Sequence, residues 1–248
     1  MVTVISYAIG DVYEKELEHM IDSLQQHSPE ANAVFAIGKE ESSDFKFYIF
    51  RGTEQIEIRQ YTLDVDPRHL KGWNRLGFIK PWVIFKGMMI ALEHFDDELA
   101  LWLDADARVR GRLESLDEDL DDGQIGLCKR DVDKDWNAGT IAIRINAPTV
   151  SWVLDWWKMC KPYFGMEHDD WKFNDQTVMR RLLLNGVSPT ITNLGEHWCC
   201  IVPMLRGSKN NPPIVKPRLD DAIIWHWQAS RGTFLDWKWP PPEHLRPK

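Results

Sequence analysis

The chain has 248 residues, of which 44% are hydrophobic and 27% charged, so it can bury a substantial core as one large or two small domains. It contains 30 Lys and Arg against 38 Asp and Glu, and this net charge of −8 argues against a nucleic-acid partner, which would require a basic surface. Thirteen tryptophans are an unusual number and indicate a protein that stacks on flat or apolar groups.

The cysteines and the apolar segments indicate the cellular compartment. The cysteines lack the C-x-x-C spacing of a metal site and predict buried, reduced thiols, as in a cytoplasmic protein. Residues 2–9 are apolar but follow no basic residue and soon meet Asp11, which predicts a first strand and not a signal peptide. No apolar run reaches about 18 residues, so we expect no transmembrane segment. The four cysteines are Cys128, Cys160, Cys199 and Cys200.

The first part of the chain predicts a parallel sheet covered by helices. Residues 2–9 form an apolar, β-branched run closed by Gly10, and residues 33–37 form a second run closed by Gly38. A strand, a helix and a second strand form the βαβ unit of a parallel α/β sheet. The helix between the strands is predicted from apolar residues that recur on one face: Leu17, Met20, Ile21 and Leu24.

Further strands and a helix follow in the middle of the chain. Within residues 46–50 and 56–61, apolar residues alternate with polar ones, which predicts two less buried strands. Pro81 opens an apolar helix that runs to about Phe95, because proline is favoured at the first helical position. More deeply buried strands are predicted at 99–103, 124–128 and 139–145.

Two helices precede a less regular region. Pro148 starts the first helix, and Asn174 is a good N-cap for the second, which runs to Leu184. The chain shows no repeat and no clear linker, so we expect one α/β domain over residues 1–248.

The end of the chain predicts a loop, a strand and a tail. Residues 203–218 hold four prolines and four basic residues and predict a long mobile loop, which is a candidate lid. A short strand at 222–225 leads into a Trp-rich tail, 226–248, that we expect to pack on the domain.

The sharpest motif is LWLDADARV, in which an apolar strand ends in Asp104 and Asp106. The carboxyl end of a strand is the usual ligand edge of an open α/β sheet. Residues i and i+2 of an extended chain point to the same side, so both carboxylates can address one cation. Hard oxygen ligands suit Mn²⁺ or Mg²⁺, with substrate phosphates completing the shell. The alternative is an exposed strand end with two solvated acids.

Three weaker motifs follow, each with an ordinary structural alternative. In FNDQTVMRRLL, Asp175 and Gln176 occupy the first turn of a helix, where Asp175 can simply complement the helix dipole. In WNAGTIAI, Asn137 and Gly139 enter a strand and can form a turn without a ligand. In IIWHW, His226 ends an apolar strand, where a histidine is more often packed in a core than bound to a metal.

In their order along the chain, these motifs resemble the A-type (GT-A) glycosyltransferases, in particular the retaining families that include glycogenin and the bacterial lipooligosaccharide galactosyltransferases. The resemblance covers roughly residues 2–232. It implies an α/β fold: a single Rossmann-like nucleotide-diphospho-sugar transferase domain with a mixed, mostly parallel sheet flanked by helices. It also implies metal-dependent transfer of a sugar from a UDP- or GDP-sugar to a glycan or other hydroxyl acceptor, with retention.

The resemblance assigns the metal and catalytic roles to five residues. Asp104, Asp106 and His226 match the ligands of a divalent ion, Mn²⁺ or Mg²⁺. Asp175 and Gln176 match the pair beneath the anomeric carbon of the donor. If the reaction retains configuration, the leaving phosphate takes the acceptor's proton, whereas inversion would make Asp175 the first candidate for a base.

Donor-binding residues follow from the same resemblance. Asn137 and Gly139 match the donor-sugar contact, and Lys80 or Lys86, on the helix before D-x-D, matches the basic residue that touches the phosphates. The glycine and lysine that often follow the late histidine in these families are not in register here, and Arg231 is expected to replace them as a diphosphate clamp. The base- and ribose-binding end of the first strand is matched loosely by Ser6, Tyr7 and Gly10.

Other functions share parts of this pattern. A haloacid-dehalogenase-type phosphatase has a similar hydrophobic D-x-D string, but usually after the first strand of its domain. A non-catalytic carbohydrate- or nucleotide-binding module would keep an aromatic surface but gain nothing from three metal ligands. A nucleotidyltransferase would need a G-x-G-T-R-like loop after the first strand, and the sequence has none.

Overall fold

The computed structural model describes residues 1–69, 77–129, 136–165, 174–185, 189–201 and 221–226. The predicted loop at 203–218, Arg231 and the tail after His226 lie outside these residues. None of the helices in the described part of the chain combines the length and the apolar character needed to cross a lipid bilayer.

The described strands form two sheets. In chain order they are β1 (Val2–Ile9), β2 (Asn32–Gly38), β3 (Asp44–Arg51), β4 (Glu54–Thr62), β5 (Leu99–Leu103), β6 (Ala107–Val109), β7 (Ile125–Lys129), β8 (Trp136–Arg144), β9 (Ile191–Asn193), β10 (Cys200–Ile201) and β11 (Ile224–His226). The main sheet has the order β4-β3-β2-β1-β5-β8-β7-β9, and a small sheet has the order β10-β11-β6. Within the main sheet only β3 and β8 run against the other strands, so the predicted mixed, mostly parallel sheet is confirmed.

Helices cover both faces of the main sheet. They are α1 (Asp11–His27), α2 (Lys80–Phe95), α3 (Leu116–Leu120), α4 (Ala147–Cys160) and α5 (Asp175–Asn185). Alternate residues of β1 supply the two cores, because successive side chains of a strand point to opposite faces. Ile5 packs in the cluster that contains α2, α4 and α5, and Val4 packs in the cluster with α1, α3 and the small sheet.

Short elements account for most of what the sequence did not predict. The hydrophobic pattern of the sequence did not predict α3, β6, β9 and β10. Each of these elements has two to five residues and is too short to show a helical or strand period. The eighth strand begins at Trp136, so the N-A-G motif lies within the strand. Ile21, predicted on the apolar face of α1, is only half-buried there.

A buried carboxylate joins the strands at the edge opposite their carboxyl ends. Asp97, just before β5, accepts hydrogen bonds from Thr3 Oγ1 at 2.6 Å and from Asn32 Nδ2 at 2.9 Å. All three side chains are buried, and they come from β1, β2 and the start of β5. Asp97 therefore fixes the register at which the three central parallel strands begin.

We expect Asp97→Ala to lower the free energy of unfolding by about 2–4 kcal/mol, because two buried donors lose their acceptor. Glu98→Ala removes the exposed neighbouring carboxylate and should change it by less than about 0.5 kcal/mol. Urea denaturation of both variants measures the difference. Equal, small losses would show that Asp97 does not hold the strands together.

Candidate active site

The two aspartates of the D-x-D motif lie in a turn between the two sheets. β5 ends immediately before Asp104, and the backbone N–H of Ala107, the first residue of β6, donates to the Asp104 carbonyl at 2.8 Å. The expectation that both acids continue an extended strand is therefore wrong. It is the turn, and not the two-residue period of a strand, that brings the carboxylates together.

The third predicted ligand reaches this turn through the small sheet. β11 pairs antiparallel with β6, so that His226 lies opposite Ala107. One ligand atom each of Asp104, Asp106 and His226 lies within 4.8 Å of the others. Their side chains are 37%, 12% and 5% exposed, respectively, so the cluster opens to solvent mainly at Asp104. The structure thus brings together the three residues that the resemblance assigned to a metal ion.

The space between these ligands depends on Gly139. A Cβ there would lie 3.2 Å from Asp104 Oδ2, 3.0 Å from His226 Cε1 and 2.8 Å from Asn137 Oδ1. Any side chain would therefore fill the concavity beside the ligands. Carboxylate oxygens and an imidazole nitrogen suit a first-row divalent ion such as Mn²⁺, whereas Mg²⁺ usually takes oxygen ligands alone. Both the donor set and the concavity fit a divalent metal ion.

Lys80 is the buried cation of the site. Its Nζ lies 2.9 Å from Asp104 Oδ1 and 2.9 Å from Asp175 Oδ2, and it donates to the Ala138 carbonyl at 3.0 Å. Two carboxylate oxygens and one carbonyl oxygen thus surround the ammonium. Burial opposes the charge, but the two carboxylates prevail and hold the pKa of Lys80 well above its usual range. Lys80 is therefore committed to protein groups.

Lys80 and Trp102 together orient the first aspartate. Trp102 Nε1 donates to Asp104 Oδ1 at 3.0 Å, the same oxygen that faces Lys80. The other oxygen, Oδ2, lies on the side of Gly139 and His226. Sequence reasoning did not select Trp102, although its position two residues before Asp104 was a usable signal.

The N-D-Q motif begins α5 and faces the start of β8. Asn174 Oδ1 accepts the backbone N–H of Thr177 at 3.1 Å, so the predicted N-cap is confirmed. Gln176 Oε1 accepts the backbone N–H of Ala138 at 3.1 Å, which ties the helix to the N-A-G motif. Asp175 points inward, with a side chain only 11% exposed.

The surroundings of Asp175 are dominated by burial and by the Lys80 ammonium, and not by the dipole of α5. Burial raises the pKa of its carboxyl above the usual value, while the Lys80 ammonium acts in the opposite direction. A surface acid that only complements the helix dipole would not be buried against a lysine. The structure therefore places Asp175 in the same charged cluster as Asp104.

The residues predicted at the end of β1 lie at the same edge of the sheet. The ring of Tyr7 lies 5.5 Å from that of Trp102, and burial raises the pKa of the Tyr7 phenol. The buried hydroxyl of Ser6 has no hydrogen-bond partner in the described part of the chain. Gly10 precedes α1 with φ of 82°, a conformation that favours glycine, and no described atom lies within 4 Å of where its Cβ would be.

Two of the remaining donor candidates can be located. Asn137 is buried, and its Oδ1 accepts the backbone N–H of Gly139 at 2.5 Å. Lys86 Nζ instead lies over the Tyr61 ring, 4.9 Å from its centroid. Of the two lysines left open by the sequence, the structure brings Lys80 to the carboxylates and not Lys86.

A polar group behind His226 was not predicted. Thr140 Oγ1 lies 2.8 Å from His226 Nε2, and the buried Cys199 side chain is a neighbour of His226, Thr140 and Cys128. Burial opposes the charge of the imidazole, whereas Cys199 and Asp106 favour it and raise the pKa of His226. The four cysteines are buried and free, as predicted, but no motif indicated that Cys199 contacts His226.

Comparison with known proteins shows a similarity to solved structures but no match at the level of sequence. No protein-family model and no curated protein sequence matches the chain. It is similar to the crystal structure of a glycosyltransferase involved in the glycosylation of the major capsid of PBCV-1, with a TM-score of 0.56 and 15% identity over 94% of this chain and 96% of that one.

Two further solved structures are similar. The galactosyltransferase LgtC, in complex with donor and acceptor sugar analogs, gives a TM-score of 0.50 and 16% identity over 92% of this chain and 87% of that one. The bifunctional glycosyltransferase WbbM gives a TM-score of 0.57 and 13% identity over 92% of this chain and 45% of that one. The chain therefore has the GT-A glycosyltransferase fold, and the resemblance found in the motifs is confirmed at the level of the fold.

We expect Lys80→Met to lower the free energy of unfolding by about 3–5 kcal/mol, because Asp175 is left as a buried, uncompensated charge. Adding Asp175→Asn should recover at least about 1 kcal/mol, since the two residues are coupled. Urea unfolding of the wild type, both single variants and the double variant measures this coupling.

The control is Lys158→Met, which removes a 71% exposed lysine from its pair with Asp155 and should cost less than about 1 kcal/mol. If the losses of the two single variants simply add in the double variant, the buried ion pair is not the stabilising contact described here.

We expect Gly139→Ala to weaken Mn²⁺ binding at least about 10-fold, because its methyl group would occupy the concavity beside Asp104 and His226. Gly126→Ala crowds Leu194 at 2.7 Å within the same sheet and should lower stability without changing Mn²⁺ affinity. Electron paramagnetic resonance of free Mn²⁺ gives both affinities. Equal affinities for the wild type and Gly139→Ala would place the ion elsewhere.

Proposed function

We propose that the protein is a divalent-metal-dependent glycosyltransferase that moves a sugar from a nucleoside-diphosphate sugar to a hydroxyl group of an acceptor, with retention of configuration. The observation that carries this proposal is the meeting of Asp104, Asp106 and His226 around the space beside Gly139, at the carboxyl edge of a GT-A sheet. Ligands of open α/β sheets bind at this edge.

The leaving group is the first chemical requirement of the reaction. Transfer breaks the bond from the sugar to a diphosphate, and negative charge grows on the departing oxygen. A bound divalent ion, preferably Mn²⁺, supplies Lewis-acid stabilisation of this charge. Asp104, Asp106 and His226 would hold the ion, and Lys80 and Trp102 orient the Asp104 carboxylate.

The donor sugar is the second requirement. As the sugar leaves, its ring gains positive charge, which the buried carboxylate of Asp175 stabilises. Gln176 is held by its Oε1 contact to Ala138, and we assign its amide N–H groups to the donor hydroxyls. Asn137 completes this surface from β8.

The carboxylates of the site favour retention over inversion. Asp104 and Asp106 belong to the metal cluster, and Asp175 is paired with Lys80. Each carboxylate that the described residues bring to the site thus has a role that conflicts with that of a free base. The departing phosphate oxygen is then the group that takes the proton of the acceptor hydroxyl.

The remaining donor contacts are proposed from position along the chain. Ser6, Tyr7 and Gly10 are assigned to the base and ribose of a UDP- or GDP-sugar, since they end the first strand at the same edge. Arg231 is assigned to the diphosphate as a bidentate clamp. Lys86 is a weaker candidate because it packs on Tyr61. The acceptor is proposed to be a glycan or another molecule with a reactive hydroxyl.

The alternatives have less support. A haloacid-dehalogenase-type phosphatase would carry D-x-D after its first strand, whereas here the motif follows β5 in a GT-A fold. A non-catalytic binding module gives no reason for two carboxylates, an imidazole and a glycine to meet around one concavity.

The test is nucleotide release from a panel of UDP- and GDP-sugars with Mn²⁺. We expect slow hydrolysis of one donor by the wild type, abolished by EDTA and reduced at least about 100-fold in Asp106→Asn, which corresponds to about 2.7 kcal/mol in the barrier. Glu114→Gln removes an acid on another part of the chain and should hydrolyse the donor at the wild-type rate.

Two results would contradict the proposal. One is the absence of both nucleotide release and a donor-induced thermal shift across the panel. The other is release that is insensitive to EDTA and to Asp106→Asn. Hydrolysis of a generic phosphate ester by the same preparation would favour the phosphatase alternative.

A further inference from the structure

The two ring nitrogens of His226 have different surroundings. Nδ1 faces the metal cluster, 3.8 Å from Asp106 Oδ1. Nε2 faces away from it and lies 2.8 Å from the Thr140 hydroxyl oxygen. Thr140 is fully buried, so water does not compete for this contact. An imidazole that binds a metal through one nitrogen commonly donates its other N–H to a fixed partner.

The hydroxyl of Thr140 can act in either direction, because it has one hydrogen and two lone pairs. The direction follows from the other nitrogen of the ring, Nδ1, which faces the carboxylate of Asp106 in the cluster. Only an unprotonated nitrogen binds a metal ion. A neutral imidazole that leaves Nδ1 unprotonated carries its proton on Nε2, and Thr140 Oγ1 then accepts it.

We infer that Thr140 is a positioning residue for His226: it accepts a hydrogen bond from Nε2 and so reserves Nδ1 as the metal-binding atom. This inference rests on the proposed metal-dependent function. Thr140 comes from β8, directly opposite Leu103 at the end of β5, so the main sheet orients a ligand supplied by the small sheet. No motif pointed to it, because threonine is an ordinary residue of a buried strand.

Two substitutions distinguish a positioning role of Thr140 from a role in packing alone. Thr140→Val keeps the shape of the side chain and removes the hydroxyl, whereas Thr140→Ser keeps the hydroxyl and removes the methyl group. A packing role would be impaired more by the serine variant. A positioning role would be impaired only by the valine variant.

Titration with Mn²⁺ distinguishes these roles without any sugar nucleotide. We expect Thr140→Val to bind Mn²⁺ about 10–100-fold more weakly than the wild type, and Thr140→Ser to bind within about 3-fold of it. Thr3→Val removes another buried hydroxyl, the one bonded to Asp97, and should leave Mn²⁺ affinity unchanged. Electron paramagnetic resonance of free Mn²⁺ measures all four affinities.

A second measurement follows the hydrogen bond itself in metal-free protein. The Nε2–H signal of His226 in a proton–nitrogen NMR spectrum, assigned by its loss in His226→Gln, should be protected from solvent exchange in the wild type and in Thr140→Ser. It should exchange rapidly in Thr140→Val. An unprotected signal in the wild type would overturn the inference whatever the metal affinity.

The outcomes separate this inference from the proposed function. Wild-type affinity in Thr140→Val, or equal weakening in both Thr140 variants, overturns the positioning role while the metal-dependent transferase stands. A wild-type protein that binds no Mn²⁺ overturns both.

Discussion

A single buried ammonium connects the candidate site to the fold. Lys80, at the start of α2, contacts the carboxylate that follows β5, the carboxylate that begins α5 and a carbonyl of β8. A buried charge is tolerated only when fixed partners of opposite sign surround it, so the helices and the sheet must meet at this point. The same contact allows Asp104 and Asp175 to lie close together, because their repulsion is offset by the cation between them.

The site is divided between two sheets, and one short turn joins them. The main sheet provides Gly139 and Thr140, and the small sheet provides His226 through its pairing with β6. The turn that carries Asp104 and Asp106 is the direct covalent link between β5 and β6. A shift of the small sheet would therefore separate His226 from Asp104, whereas a shift of a helix would first disturb Lys80 and Asp175.

The sequence predicted those parts of the molecule that are decided locally. Short apolar runs such as β1 and β5 are too short for typical helices and indicate buried strands, so the carboxylates after β5 were expected at a sheet edge. The strands β6 and β10 could not be predicted, since two or three residues carry no period and depend on pairing with β11. The choice between Lys80 and Lys86 also required tertiary structure, because both are compatible with the same helix. The proposed role of Thr140 depends on its contact with His226, which is distant in sequence and becomes visible only in the folded structure.

The position of β11 near the end of the described residues has a consequence for how the chain folds. Ile224–His226 is far in sequence from the turn that it completes, and contacts between distant residues carry a larger entropic cost of loop closure than local ones. The central strands and the Lys80 ion pairs involve no residue of β11. Pairing of the central strands therefore does not require β11, whereas the cluster of Asp104, Asp106 and His226 does. If the proposed metal ion binds only the completed cluster, it would stabilise the docked position of β11 by mass action, so that metal binding and the docking of this strand would form one equilibrium.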